Sequence, residues 1–581
     1  MSRLAPALLS LALMAAACGS DNAQPPPAST TSAPPSTTPA PVCDAPVEGD
    51  SGEADGALVR EATVEALEHP LMAELALELS RPLQPAVRLV GPEGSSSVPS
   101  SAAPVASHTI LLAGMRADTT YSVEVDLLDP ACGVVGSAGP FSVTTGSLPT
   151  DLPAMTAVTS VAAEMSPGLT MFNLLDLRDG FGAGEELTEG AEPPPAGWIF
   201  MADADGEVVW YHSEPHPLGD VRMLDDGTIL YEFNDTAARR IDLRGNVLEE
   251  WAGAIITGRF TFDALGRQVV GDDPVIVDTD SMHHEHIPLP DGTHATLSTE
   301  IRVFDGFDEP VCGEDPATFD GTYHLVGDVV VVFDPLTGDV LSEFSLFDYF
   351  DPTSDPASLN LCGLPFDFVF PNWLYDGVDD QRRDWTHANA IEVDAANNTL
   401  IVSVRHLDAL LGLRWKTDDN GPAGELLWHS GPRGDMELLD GEWHLYQHAP
   451  ELQSDGTVLL YDNGNNRAGL GGEDAPLYSR AVHYAIDPDA KTVEQLWEYR
   501  SNRGGQPLFA GFVGDADRLE NGNVLITDGG VNGNGDDGLS AQIVEVTPSG
   551  TDGGEVVFSL EVEGGVGWIV YRAERIPSVY G

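Results

Sequence analysis

The sequence predicts an all-β chain: a six-bladed β-propeller preceded by a small β-sandwich. Two observations carry this. After residue 155, a unit of β run, turn and β run ending in an aromatic recurs six times, with a second hairpin between successive copies. Before it, residues 46–150 hold short alternating runs at the spacing of a sandwich. Composition narrows the partners. The 581 residues carry 93 Asp+Glu against 27 Lys+Arg, a formal net charge of -66. Phosphate binding needs a basic footprint, so nucleic acid is not a partner. The acid excess reads as a strongly solvated surface, and an anionic substrate would need local cations at its site.

Taken in chain order, residues 1–18 read as a signal peptide, with Arg3, the apolar run Leu4–Ala17 and then Cys18. The run is too short to span a bilayer. "LMAAACGS" resembles a bacterial lipobox, with Ala15 where leucine is usual, so Cys18 is the expected lipidation site; plain cleavage after Ala17 is the alternative. The expectation is an exported chain, periplasmic or a cell-surface lipoprotein, touching membrane only through such an anchor. Residues 19–45, rich in Pro, Ser and Thr, read as a tether. Export permits disulfides. Among Cys43, Cys132, Cys312 and Cys362, grouping by domain favours Cys43–Cys132 and Cys312–Cys362 among three pairings. No Cys/His spacing suggests zinc, and no metal or cofactor is expected.

Within 46–150, "LALEL", "AVRLV", "HTILLAG", "TTYSVEVDLL" and "PFSVTTG" supply the alternation. "LLAGMRADTTYSVEVDLLDPACG" resembles a fibronectin-III-like domain, with Tyr121 at its tyrosine corner. From 155 to 581 the repeated units close on Trp210, Trp251, Phe344, Trp428, Trp497 and Phe558, and the aromatics read as outer-strand packing. The intervening hairpins are "VRMLDDGTILYEF", "IPLPDGTHATLS", "IEVDAANNTLIVSV", "ELQSDGTVLLYD" and "DRLENGNVLITD". Two hairpins make a four-stranded blade, A to D from the axis outward. The chain is expected to enter on a C–D pair and leave on an A strand, "GWIVYRAERI", which closes the ring. "DGGVNGNGDDG" and "NRAGLGGEDAP" lack calcium-cage spacing and read as loops.

A strands line the channel, so equivalent positions form a ring. His284 lies eight residues before Gly292 and His448 eight before Gly456, while Gly219 and Gly514 hold the same offset from Gly227 and Gly522. His387 begins the A strand with the longer "DAANN" turn. Parity favours His284 over His283 and places His286 one pleat deeper on the channel side. Folding about Ala396 pairs His387 with Arg405, and folding about the next A–B turn sets Asn463 opposite His448 as a substrate contact. Clustered imidazoles with a guanidinium fork suit an oxyanion of several oxygens.

At these residues the chain resembles the bacterial aryl-sulfate sulfotransferases that do without a nucleotide sulfate donor. The matching segments are "MHHEH" with "LPDG", "DWTHANAIEVD", "IVSVRHLDAL", "YQHAPELQSDG", "LLYDNGNNR" and "VYRAERIPSVY". Glu285 and Ala449 stand where that family commonly has aspartate. The resemblance implies a ping-pong transfer of sulfuryl from an aryl sulfate to a phenol, through a sulfohistidine at His448. It implies that His284, His387 and Arg405 hold the sulfuryl oxygens, that no cofactor is used, and it suggests a homodimer. The alternatives are a calcium-dependent, lactonase-like propeller hydrolase and a non-catalytic surface-binding propeller. A quinone-dependent dehydrogenase fits less well, since those count eight blades.

Overall fold

In the computed structural model, the described residues are 58–581 apart from 101–102, 151, 154, 177–195, 255–267, 308–309, 311–316, 318, 354–381, 466, 468–476, 504, 533–538 and 563–566. The signal, the tether, Cys18, Cys43, Cys312 and Cys362 lie outside them, and so do most of "NRAGLGGEDAP" and the second half of "DGGVNGNGDDG". No helix among the described residues is long and apolar enough to cross a membrane.

The alternation in residues 73–91 produces one long strand, Ala73–Gly91, which buries Leu75, Leu77, Leu79, Leu83, Val87 and Leu89. Its first half pairs with Val59–Ala66 and Val105–Leu112. Its second half pairs with Gly94–Val98 and with Thr120–Asp129, which pairs in turn with Gly133–Thr144. Buried Tyr121 accepts a hydrogen bond at Oη from the Arg116 N–H, 2.9 Å away, as a tyrosine corner does. One strand shared between two sheets does not by itself establish a fibronectin-III topology. Arg116 also reaches Asp203 and Asp205 at 2.6 Å, and Tyr580 Oη accepts from the Ala113 N–H, tying these strands to the propeller.

Six antiparallel sheets form the propeller. Blade 2 takes Leu218–Met223, Ile229–Phe233, Ala237–Ile241 and Val247–Gly253 as its strands A to D. Blade 3 takes His283–Pro288, His294–Asp305, Thr322–Phe333 and Val340–Ser345. Blade 4 takes Ala388–Asp394, Thr399–Val404, Ala409–Arg414 and Leu426–Ser430. Blade 5 takes His448–Leu452, Val458–Asp462, Arg480–Asp487 and Thr492–Tyr499. Blade 6 takes Asp515–Arg518, Val524–Asn532, Leu539–Pro548 and Gly554–Val562.

Blade 1 closes the ring. Its A strand is C-terminal, in two pieces (Trp568–Ile569 and Ala573–Ile576), and pairs with Leu169–Asp176, followed by Gly197–Ala202 and Val208–Glu214. Blade 1 therefore begins in the chain on its B strand rather than on the expected C–D pair. Thr170 to Leu175 are buried without interruption, so the segment shows no alternation, and its A-strand partner is too far along the chain to leave a turn signal. Met155–Ser160 adds to the outer edge of blade 6 and forms a second clasp.

The six aromatics that end the D strands are all buried. Three of them repeat one device. Trp210, Trp251 and Trp497 donate their indole N–H to the carbonyls of Leu243, Pro335 and Gly553, each in the C–D turn of the next blade. Each pin satisfies a buried donor and locks adjacent blades together.

Candidate functional site

The A strands of blades 2 to 5 each carry a bulge near one end of the channel, after Leu218, His283, Ala388 and His448. Bulges re-aim side chains, and here they coincide with positive φ at His284 (60°), His387 (48°) and Ala449 (46°). His284, His387 and His448 meet at the axis. The rings of His284 and His387 pack edge to face at 4.9 Å, and His448 and Arg405 act electrostatically on both.

The predicted pairing of His387 with Arg405 is present: the Arg405 N–H donates to the His387 carbonyl at 3.2 Å, beside the Ala388–Val404 pair. Two register expectations need correction. His286 turns away from the channel, against Trp251 and Phe333, because the bulge at His284–Glu285 re-aims the strand and sends Glu285 to the axis instead. The cross-strand partner of His448 is Tyr461, because the bulge in its strand shifts the register; Asn463 reaches His448 by its side chain alone.

Hydrogen-bond partners assign the protons. Asn463 spends both amide hydrogens on the Ala510 and Val513 carbonyls, each at 2.8 Å. Its Oδ1 must then accept, at 2.6 Å, from Nδ1–H of His448, which leaves the Nε2 lone pair of His448 free. Asp384 does the same for His387, accepting from Nδ1–H at 2.6 Å. Asp384 arrives on Arg382–Asp384, a short strand added in parallel to blade 3. Asp328 accepts from Thr386 Oγ1 and the Ala388 N–H, gripping the backbone on both sides of His387.

Arg405 is 5% exposed and forms no ion pair among the described residues. One Nη donates to the Gly511 carbonyl and the other to Nε2 of His406, both at 2.8 Å; Nε has no partner. The guanidinium lies 4.6 Å over the Tyr446 ring. Burial, aided by Arg405, holds the pKa values of His387 and His448 well below the ordinary imidazole range, and burial beside His387 does so for His284.

Asp384, His387 and His406 bring three potential metal-ligand atoms within 4.8 Å of one another. Their hydrogen bonds do not suit a metal. His406 Nε2 accepts from Arg405, so Nδ1 carries the ring's proton and has no lone pair to give. Beneath the ring, Arg572 clasps Glu285 with both Nη atoms at 2.7 and 3.0 Å and reaches Asp220 at 2.9 Å. Farther along the axis a cavity of about 590 Å³ is lined by Glu392, Glu451, Asp515, Asp517 and Glu574, with burial pushing Glu392, Asp515 and Glu574 up to about 7.

Comparison with known proteins now bears on the whole ring. The family model described as Arylsulfotransferase (ASST) matches residues 155–572, which include His284, His387, Arg405, His448 and Asn463. The chain belongs to the arylsulfotransferase family. Arylsulfate sulfotransferase AssT of Escherichia coli is 26% identical over 341 residues, 53% of this chain and 54% of that protein. The Lelliottia amnigena protein of the same name gives 26% over 338 residues, with the same coverage. The chain thus spans about half the length of the curated relatives it matches. A periplasmic gluconolactonase of Pseudomonas aeruginosa aligns at 13% identity and TM-score 0.27, covering 69% of this chain and 99% of its own, and carries no argument about activity.

Three residues of this arylsulfotransferase-family site escaped sequence reading: Asp384, His406 and Tyr571. Asp384 sits three positions before His387, a short-range signal in "DWTH". Tyr571 is buried, its ring 6.1 Å from that of His284 and its hydroxyl without a hydrogen-bond partner among the described residues. Turn alignment could not reach it, because the A and B strands of blade 1 come from opposite ends of the chain. One stability prediction arises here. Asn463→Asp would aim a carboxylate oxygen at two backbone carbonyls, so a loss of about 2–4 kcal/mol is expected in denaturant melts. An unchanged midpoint would mean the amide orientation above is wrong.

Proposed function

We propose that the chain transfers a sulfuryl group from an aryl sulfate to a phenol through a covalent intermediate on His448. The observation that carries this reading is Arg405, a buried guanidinium with no carboxylate paired to it, standing beside imidazoles held in their neutral form. Asp384 and Asp408 act on it only from a distance, and a buried cation with no anion in contact is costly, so a bound anion would supply that contact. Family membership supports sulfuryl transfer as the chemistry.

In the first half-reaction His448 Nε2 forms a bond to sulfur and the bond from sulfur to the aryl oxygen breaks. In the second, the oxygen of an acceptor phenol bonds to sulfur and the N–S bond breaks, returning His448 to its starting state. Arg405 holds the sulfuryl oxygens. His387 directs its Nδ1–H to Asp384, which fixes the ring beside the sulfuryl position and makes it a positioning residue. Asn463 is a positioning residue, since its amide hydrogens are engaged with the backbone.

Two measurements test this. Incubation with p-nitrophenyl sulfate in the absence of acceptor should leave a sulfuryl adduct detectable by intact mass and mapped to His448; an adduct elsewhere, or none alongside turnover, sinks the intermediate. The second is a pH profile. A lowered pKa keeps the nucleophile neutral below the ordinary value of 6.5, so kcat/KM for p-nitrophenyl sulfate should stay level from about pH 8 to about pH 6. An acid limb near pH 6.5 would instead indicate a solvated imidazole.

A further inference from the structure

The proposed transfer leaves one proton unassigned. An unactivated phenol has a pKa of about 10, so its oxygen leaves more readily with a proton. His387 and His448 have none to spare, since they direct their Nδ1–H groups to Asp384 and Asn463, and His284 has its Nδ1 against that of His283 at 2.7 Å. The remaining candidate donors are the other buried groups that face the axis.

Blade order indicates where. The A strands of blades 2 to 6 touch in sequence and blade 1 closes between 6 and 2, so blade 2 stands across the axis from blade 5. Displacement at sulfur, by analogy with phosphoryl transfer, sets nucleophile and leaving oxygen roughly in line. An oxygen displaced by His448 therefore points toward blade 2. That blade has glycine, Gly219, where blades 3 and 5 have His284 and His448. The space is filled from the neighbouring B strand by Glu232: a Cβ at position 219 would overlap Glu232 Oε2.

Glu232 is 2% exposed, and its Oε1 has no hydrogen-bond partner among the described residues. The charged and titratable groups facing it are Asp235 and Asp220 of its own blade, His284 of blade 3, and Tyr571 beside Arg572 in blade 1. Burial next to two acids keeps the carboxyl well above the usual carboxylate range. The backbone N–H groups of Asp235 and His284 lean on it and would stabilise the carboxylate left when the proton departs.

We propose, resting on the sulfuryl-transfer reading above, that Glu232 donates the proton that the departing phenol carries away. As the S–O bond breaks, the carboxyl O–H breaks and the phenol O–H forms. In the second half-reaction the acceptor's proton returns to the Glu232 carboxylate as its oxygen bonds to sulfur, so the cycle closes without net proton change.

The test is Glu232→Gln, which keeps shape and neutrality but removes the acidic proton, assayed with two donors. In kcat/KM for the donor, which reports only the first half-reaction of a ping-pong cycle, phenyl sulfate should fall about 10²- to 10⁴-fold, while p-nitrophenyl sulfate, whose phenolate leaves unaided, should change by no more than a few-fold. An equal loss with both donors, or no loss with either, overturns the assignment. Should the variant fail to fold, the wild type decides: kcat/KM for phenyl sulfate should fall at high pH as Glu232 ionises, while that for p-nitrophenyl sulfate stays level. Parallel profiles overturn it. Wild-type protein that transfers from neither donor would overturn the sulfuryl-transfer reading itself, and this assignment with it.

Discussion

His448→Ala is expected to abolish transfer from p-nitrophenyl sulfate to a phenol, with a loss of at least about 10⁴-fold, because removing a nucleophile removes the covalent path altogether. The fold should survive. The substitution strands Asn463 Oδ1, whose partner it removes, at a cost of about 1–3 kcal/mol. Circular dichroism and a melting curve check that part, and intact mass should show no sulfuryl adduct. A variant that keeps the wild-type rate would take the nucleophile away from His448. The distinction from a structural histidine is sharp, since a packing role predicts a stability loss with activity retained in the folded fraction.

Arg405→Lys should also be severe, although it conserves formal charge. The guanidinium spends two nitrogens on the Gly511 carbonyl and His406 Nε2, and its Nε remains unpartnered. A lysine ammonium has one nitrogen, cannot hold both partners and a ligand in a plane, and loses its proton more readily when buried. A drop of about 10²- to 10³-fold in kcat/KM for aryl sulfates is expected, in the range seen when one stabilising donor is removed from a developing anion. An unchanged kcat/KM would show that Arg405 does not hold the sulfuryl group.

Much of this was readable before any coordinates. Hairpin turns such as "PDGT" and "SDGT" are local and strongly typed, so strand pairs around them could be aligned blade against blade. The ring of His284, His387 and His448 came from that alignment, as did the pairing of His387 with Arg405. The errors cluster where local reading meets a bulge or a distant partner. His286 and the register of Asn463 were misplaced by bulges in their A strands, with two extra residues at His284–Glu285 and one after His448, which re-aim or shift everything beyond them. The B strand of blade 1 and Tyr571 were missed because ring closure joins segments about 400 positions apart, as Phe172 and Ala573 are.

The sequence by itself determined the architecture, the blade count, and which imidazoles and which guanidinium share one end of the channel. Those properties follow from periodicity and turn chemistry, which act over a few residues. Only the tertiary structure decided the protonation pattern that gives the ring its chemistry. Asn463 and Asp384 set the tautomers of His448 and His387, Arg405 keeps its Nε unpartnered among the described residues, and Glu232 fills the gap at Gly219. Each depends on which buried group finds a partner across blades, and burial converts a missing partner into a pKa shift or an affinity for the missing charge.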